Sequence, residues 1–341
     1  MAKIFDRILP LLTKYGFVIP CVKTPHENAF YGPCGHLLLE NIQNEWKKSF
    51  LFCPEASVFP FQRNGISCIA SLHNVTQEPI QCLQDISETA KHIINMSAPF
   101  GLISTAQHQS AQEQSSKQLF SLIAHPTFWT GLQFAFCIPS SKLFYWYTYW
   151  QRQRLVWWKR LSGQSSGFSV AESGRRASIE RAFPWGHEIV EHIWTFETQR
   201  GQSWIVCNTS ANVAAAVFLW DAFGGDRPVL ALNNKLSPYK ATIATTSTTL
   251  QPLAILLDIQ LRKGRVMTYA NPFLNSRATL EAQITQFDEM GICYTIILNE
   301  NTQRTGVAYV RHRDTTIKEQ IHVTDIRKRL SMYLQVPDAC G

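Results

Sequence analysis

What this 341-residue chain lacks narrows its function before anything it contains. It has no run of about 18 apolar residues, so no membrane-spanning helix is read from it. Its nine cysteines are scattered singly, with no CxxC pair. Zinc sites and disulfide frameworks need paired spacing, so these are read as reduced thiols. There is no P-loop, Rossmann glycine fingerprint, nucleophile elbow or kinase signature. No metal-ligand cluster appears, and the carboxylates form no convincing pair for acid–base work. Asn-x-Ser/Thr triplets at Asn74, Asn95 and Asn208 are read as chance, because no secretory leader accompanies them. Neither a cofactor nor a metal is expected. What the chain does have is length for two cores and a net charge of +7, which is compatible with a polyanionic partner.

Along the chain, Met1–Lys23 is basic, and Ile4, Ile8, Leu11 and Leu12 could form an amphipathic face. It reads either as a presequence-like segment or as the first folded helix, with Pro10 interrupting it. Gly32, Pro33 and Gly35 make a turn ahead of a helix over Leu37–Lys48. A helix is expected over Ile80–Met96 and a polar loop over Gln107–Gln118, and Leu132–Ile138 reads as a core strand. Residues 143–161, LFYWYTYWQRQRLVWWKRL, alternate aromatic and basic residues. They read as core aromatics with a basic outer face, or as a nucleic-acid surface.

Residues 162–182 read as a flexible basic loop carrying Arg175 and Arg176. In the run HEIVEH an HExxH zinc helix would need histidine where Glu191 stands. His187 with Glu191, and Glu188 with His192, are read instead as surface pairs one helical turn apart. Ala214–Phe223 is a packed helix, and Asp226–Ser237 a linker. Beyond it, strands over Lys240–Thr245 and Arg265–Tyr269 alternate with helices over Leu250–Lys263 and Arg277–Met290. A strand over Ile292–Leu298, a polar turn over Asn299–Thr305 and a second strand from Val307 follow. A dense polar cluster, Arg311–Lys318, precedes a final helix capped by Thr324, with Ile326, Leu330, Tyr333 and Leu334 on its apolar face.

Several of these stretches are familiar. FDEMGICYTIILNENTQRTGVAYVRHRDTTIKEQIHVTDIRKRL, Phe287–Leu330, closely resembles the C-terminal end of the accessory-subunit family of mitochondrial DNA polymerase gamma, itself related to class II glycyl- and prolyl-type aminoacyl-tRNA synthetases. FYGPCG from Phe30, the aromatic–basic run 143–161, FPWGHEIVEHIWTF from Phe183 and LSPYKATI from Leu236 resemble the same family in the same order.

The resemblance implies an α/β (α+β) fold. A class II synthetase-like antiparallel-sheet domain would occupy residues 1–225, and a mixed-sheet α/β anticodon-binding-like domain residues 226–341. It also exposes two departures. A synthetase grips ATP with an arginine on its second-motif strand, yet no arginine occurs between Arg63 and Arg152. Its third motif needs glycines and another arginine, where this chain has Ser210, Ala211, Asn212, Val213, Ala214 and Ala215. Adenylation is therefore not expected, and the family implies a non-catalytic subunit in the mitochondrial matrix nucleoid that raises processivity.

The partners implied are the catalytic subunit of mitochondrial DNA polymerase gamma and primer–template or duplex DNA, with no membrane. The region 54–97 is too short for the family's whole dimerisation insertion, so one accessory chain per catalytic chain is expected. Arg311, His312, Arg313, Asp314, Lys318, Arg327 and Lys328 are the residues read as contacting the catalytic subunit. Arg152, Arg154, Lys159, Arg160, Arg175 and Arg176 are read as contacting the DNA backbone. Ordinary solvated surface is the competing reading for each. A free-standing tRNA- or RNA-binding paralogue and an active synthetase are the alternative functions.

Overall fold

The computed structural model describes residues 2–20, 29–60, 98–109, 123–124, 128–197, 201–223, 229–272 and 278–335. The helix expected over 80–96, most of the polar loop and the start of the 226–237 linker lie outside them.

Helix α1 (Ala2–Lys14) buries Ile8, Leu11 and Leu12 along one side. It runs through Pro10, whose ring is exposed. Strands β1 (Val18–Pro20) and β2 (Ala29–Tyr31) form a small antiparallel pair. Pro33 then occupies the first turn of α2 (Pro33–Leu51), where its missing N–H costs nothing.

Strands β3 (Ser57–Pro60), β4 (Phe100–Gln109) and β5 (Phe128–Pro139) come next, then α3 (Leu143–Leu161). Four more strands follow: β6 (Phe168–Ser173), β7 (Arg176–Phe183), β8 (Gly186–Glu197) and β9 (Gln202–Ser210). They join in one sheet ordered β3-β4-β5-β9-β8-β7-β6, antiparallel except for the β3–β4 pair. Helix α4 (Ala211–Ala222) follows directly on β9.

Two sequence expectations are overturned here. Residues 162–182 are not a loop but largely the β6–β7 hairpin, turned at Gly174-Arg175 with Gly174 at φ 62° supplying the conformation a two-residue turn needs. The run at 187–192 is strand β8, not a helix, so its histidines and glutamates cannot pair by helical turns. Its β-branched and aromatic content, Ile189, Val190, Ile193, Trp194, Thr195 and Phe196, favours the pleated surface.

One face of the sheet packs on α2 and α3. Phe134 stacks on Phe50 with ring centroids 4.0 Å apart, and Trp146 and Trp150 stand edge-on to Phe136 and Phe134. The other face carries Phe100, Leu102, Ala135, Cys137, Trp204 and Val206.

The remaining elements are β10 (Ala241–Thr245), α5 (Gln251–Lys263), β11 (Thr268–Tyr269), α6 (Leu280–Glu289) and β12 (Tyr294–Leu298). After them come α7 (Glu300–Thr305), β13 (Val307–His312), β14 (Lys318–His322) and α8 (Ile326–Gln335). Their sheet is ordered β11-β10-β12-β13-β14, with β10 parallel to β11 and β12 and the rest antiparallel. The fold class is thus α/β (α+β), with one mainly antiparallel and one mixed sheet.

The expected polar turn at 299–305 is the short helix α7, closed by a capping box between Asn299 and Thr302 and ended by Gly306 at φ 73°. Strand β14 was not legible, because only Ile321 of its side chains is buried. In α8, Ile326 and Leu330 are buried as the spacing requires, with Tyr333 and Leu334 packed beside them.

The chain divides into two compact units. The first comprises residues 18–32 and 42–217, and the second residues 2–17, 33–41 and 218–341.

Candidate nucleic-acid and partner surfaces

The aromatic–basic run forms α3, and helical geometry sorts its side chains. Trp146, Trp150, Trp157 and Leu161 recur at the spacing of one face, and all are buried. Arg154 lies four residues after Trp150 and three before Trp157, so it belongs to that same face. Its Nε donates to Glu191 Oε1 at 2.8 Å and its Nη1 to Ser49 Oγ at 2.7 Å. The guanidinium also lies over the rings of Phe50 and Trp157, 4.5 and 4.7 Å from their centroids. Trp158 Nε1 donates to the other oxygen of Glu191 at 2.6 Å. Arg154 is therefore an interior residue, and its assignment to the DNA-contact set is corrected.

The other cations of this unit face outward. Arg152 and Arg160 are exposed on α3 and Lys159 is half-buried. Arg175 and Arg176 sit at and just after the turn of the β6–β7 hairpin, both exposed. Arg175 pairs with Glu197 at 3.2 Å in an open setting, an interaction worth little against solvent. Arg181 turns inward on the same hairpin, between the rings of Phe168 and Phe183.

The C-terminal cluster is sorted in the same way. On β13, Arg311 donates two hydrogen bonds to Asp288 of α6, at 2.8 and 2.9 Å. Arg313 donates to the carbonyls of Gly291 and Leu232 at 2.8 and 2.7 Å, and its Nε to Asp314 at 2.7 Å. Both arginines are buried, because the β13 pleat and the turn after it direct them beneath α6 and the chain before β10. They hold this unit together, and their reading as partner contacts is corrected. Exposed positions of that set are Asp314, Lys318, Arg327 and Lys328, while His312 is half-buried and near Thr315. Lys318 begins the edge strand β14, and Arg327 and Lys328 lie on the first turn of α8. The Arg327 stem covers Gly264, where an added methyl group would stand 2.7 Å from its Cδ.

Burial also raises several tyrosines. Desolvation and then the Glu289 carboxylate, which accepts the Tyr15 hydroxyl, push Tyr15 up to about 12. Lys14 Nζ bonds the same carboxylate at 2.8 Å. Burial likewise raises Tyr294 to about 12.

At the β9–α4 junction, polar groups are turned on one another. Thr130 N donates to Asn212 Oδ1 at 2.9 Å, and the Tyr31 hydroxyl donates to the carbonyls of Ile123 and Asn212 at 2.9 and 3.1 Å. No arginine stands on β4, β5 or β9 or in the first half of α4. Among the described residues, no group of three or more His, Cys, Asp or Glu side chains could hold a metal ion, and no helix is long and apolar enough to cross a membrane.

Comparison with known proteins adds the family context. Residues 238–332 match the family described as Anticodon binding domain. The chain is 27% identical to the mitochondrial DNA polymerase subunit gamma-2 of Xenopus laevis over 71% of its own length and 61% of that protein's. It is 26% identical to DNA polymerase subunit gamma-2 of Mus musculus over 77% of its length and 64% of that protein's. It thus spans a little over three fifths of the length of these two relatives. Its fold is similar to a prolyl-tRNA synthetase of Cryptosporidium parvum, with a TM-score of 0.66, 11% identity, and coverage of 96% of this chain and 76% of that one. Sequence and fold together show that this chain resembles the accessory subunit of mitochondrial DNA polymerase gamma, on a class II aminoacyl-tRNA synthetase-like fold that ends in an anticodon-binding domain.

Proposed function

We propose that this protein is a non-catalytic accessory subunit of a mitochondrial DNA polymerase, binding the catalytic subunit and DNA so that the holoenzyme stays longer on its template. The observation that carries the reading is the similarity to two gamma-2 subunits over most of the chain, combined with the absence of arginine from the stretches read against a synthetase's second and third motifs. It acts in the mitochondrial matrix, with one accessory chain per catalytic chain. Residues 1–225 serve as the synthetase-like body and 226–341 as the anticodon-binding-like domain.

With Arg311 and Arg313 occupied inside the fold, the catalytic-subunit contact falls to Lys318, Arg327 and Lys328, flanked by His312 and Asp314. With Arg154 occupied, the DNA contact falls to Arg152, Lys159, Arg160, Arg175 and Arg176. Cations on that surface displace the counterions condensed on the DNA phosphates and slow departure from the template. An added holding energy of about 1.4 kcal/mol would slow departure tenfold if it acts wholly on the off-rate.

Primer extension by the catalytic subunit at raised salt, with and without this chain, tests the reading. Longer products per binding event are the expected outcome. Unchanged products, together with failure of the two proteins to co-elute, would overturn it. The match to an anticodon-binding domain favours one alternative, a free-standing RNA-binding paralogue. Tighter binding of folded tRNA than of duplex DNA would select it.

A further inference from the structure

The outward face of α3 carries a feature the duplex-DNA reading does not use. Tyr145, Thr148, Arg152, Val156 and Lys159 recur at intervals of three and four residues, so they form one stripe along the helix. The stripe is about 20 Å long at 1.5 Å per residue. At its N-terminal end the aromatic rings are in solvent: Phe144 is 84% exposed and Tyr145 53%. A third ring comes from the end of α2. Phe52 is 78% exposed, and its neighbour Glu55 accepts the Tyr145 hydroxyl at 3.2 Å, which fixes the 52–55 segment beside the helix.

Charge along the helix stripe is positive, with the Glu55 carboxylate bound to the Tyr145 hydroxyl at its end. From Gln114 to Ala171 the sequence has no aspartate or glutamate, while Lys142, Arg152, Lys159 and Arg160 fall on or beside this face. A second copy of the chain laid on the stripe would set these like charges against one another. A polyanion would be attracted. Duplex DNA offers phosphates but keeps its base faces stacked inside, out of reach of Phe52, Phe144 and Tyr145. A single strand offers both phosphates and open base faces, and base–aromatic stacking combined with a basic track is how such strands are held without sequence preference.

We infer that the outer face of α3, with Phe52, is a binding site for single-stranded nucleic acid, in which Phe52, Phe144 and Tyr145 stack on bases and Lys142 and Arg152 meet the backbone. This deepens the DNA-binding part of the function proposed above by naming the strand form recognised at this surface.

The test is fluorescence anisotropy of the full chain with a labelled dT20 strand and with a 20-base-pair duplex, across a salt series. The native chain should bind dT20. Phe52→Ala with Phe144→Ala should weaken dT20 at least about tenfold while changing duplex affinity less than about twofold, since each stacked base contributes on that scale. Phe144→Tyr, which keeps a ring, should retain binding. Arg152→Ala should lower the dT20 salt slope by about 0.7.

Three results would overturn the inference: no dT20 binding by the native chain, parallel losses on strand and duplex, or a native dimer that Phe144→Ala converts to monomer. The last would assign the rings to a self-contact. The catalytic subunit is absent from this assay. Its outcome is therefore independent of primer extension, and either proposal can fail while the other stands.

Discussion

Arg154 and Glu191 face each other at 2.8 Å across α3 and β8 with 1% and 0% of their side-chain surfaces exposed. One carboxylate oxygen takes Arg154 and the other takes Trp158, so the charge of Glu191 is fully committed. An ion pair this deep does not stabilise by its attraction alone, because both partners lost their water. Its importance lies in what remains when one partner is removed.

Arg154→Met should therefore cost about 3–5 kcal/mol of unfolding free energy, by stranding a buried carboxylate. The double variant Arg154→Met, Glu191→Leu should recover most of it. Urea unfolding of the three chains measures both effects. A loss below about 1 kcal/mol in the single variant would show that water reaches Glu191.

The fork between Arg311 and Asp288 makes a second demand. Lysine has the charge but not the planar pair of donors, so Arg311→Lys should destabilise the chain by about 1–3 kcal/mol. Arg313→Ala should cost a similar amount by leaving the Leu232 carbonyl unpaired and the Gly291 carbonyl with the Ser237 hydroxyl alone. Thermal unfolding should report both losses before any co-elution assay is interpreted. Unchanged melting with lost co-elution would return these arginines to the interface.

Alkali should loosen the fold through its tyrosines. Tyr15 is raised from 10.0 to about 12, chiefly by burial and then by Glu289. A folded pKa above the unfolded one means stability is complete below pH 10 and is lost as pH rises toward 12. Unfolding midpoints between pH 8 and 12 should fall over that window, and Tyr15→Phe should fall less steeply. Tyrosinate absorbance appearing with an ordinary midpoint near pH 10 for every tyrosine would contradict this.

At the hairpin, Arg175→Ala with Arg176→Ala should leave stability within about 0.5 kcal/mol, since both side chains are exposed. If each meets a phosphate, the slope of log affinity for duplex DNA against log salt should flatten by about 1.8. An unchanged slope removes the hairpin from the DNA surface.

Much of the fold was legible. Helix α3, strands β5, β10, β12 and β13, and helices α5, α6 and α8 stand where apolar spacing put them, within a few residues. Those segments each bury a regular stripe, and a regular stripe is a local property. Strands β6 and β14 escaped because edge strands pair through the backbone and keep polar side chains, and β7 because its buried side includes Arg181 beside Ala177, Ile179 and Phe183. Strand β8 escaped because a buried glutamate among its apolar residues imitated a charged helix face. Arg154 could have been found: its distance of four from Trp150 and three from Trp157 places it inward. Its charge pointed to the surface, and only Glu191 on β8, facing α3, makes the interior tenable.

By itself, then, the sequence determined the secondary structure of its strongly patterned segments, the lack of nucleotide-gripping arginines and the resemblance to an accessory-subunit family. Tertiary structure alone decided which basic residues are available to a partner. Arg152 and Arg154, or Arg313 and Lys318, are alike in sequence as long cations in basic runs. They differ because a cation enters a protein interior only where carboxylates and carbonyls from distant segments replace its water. Glu191, Asp288, Gly291 and Leu232 are such partners, and chain folding alone brings them there.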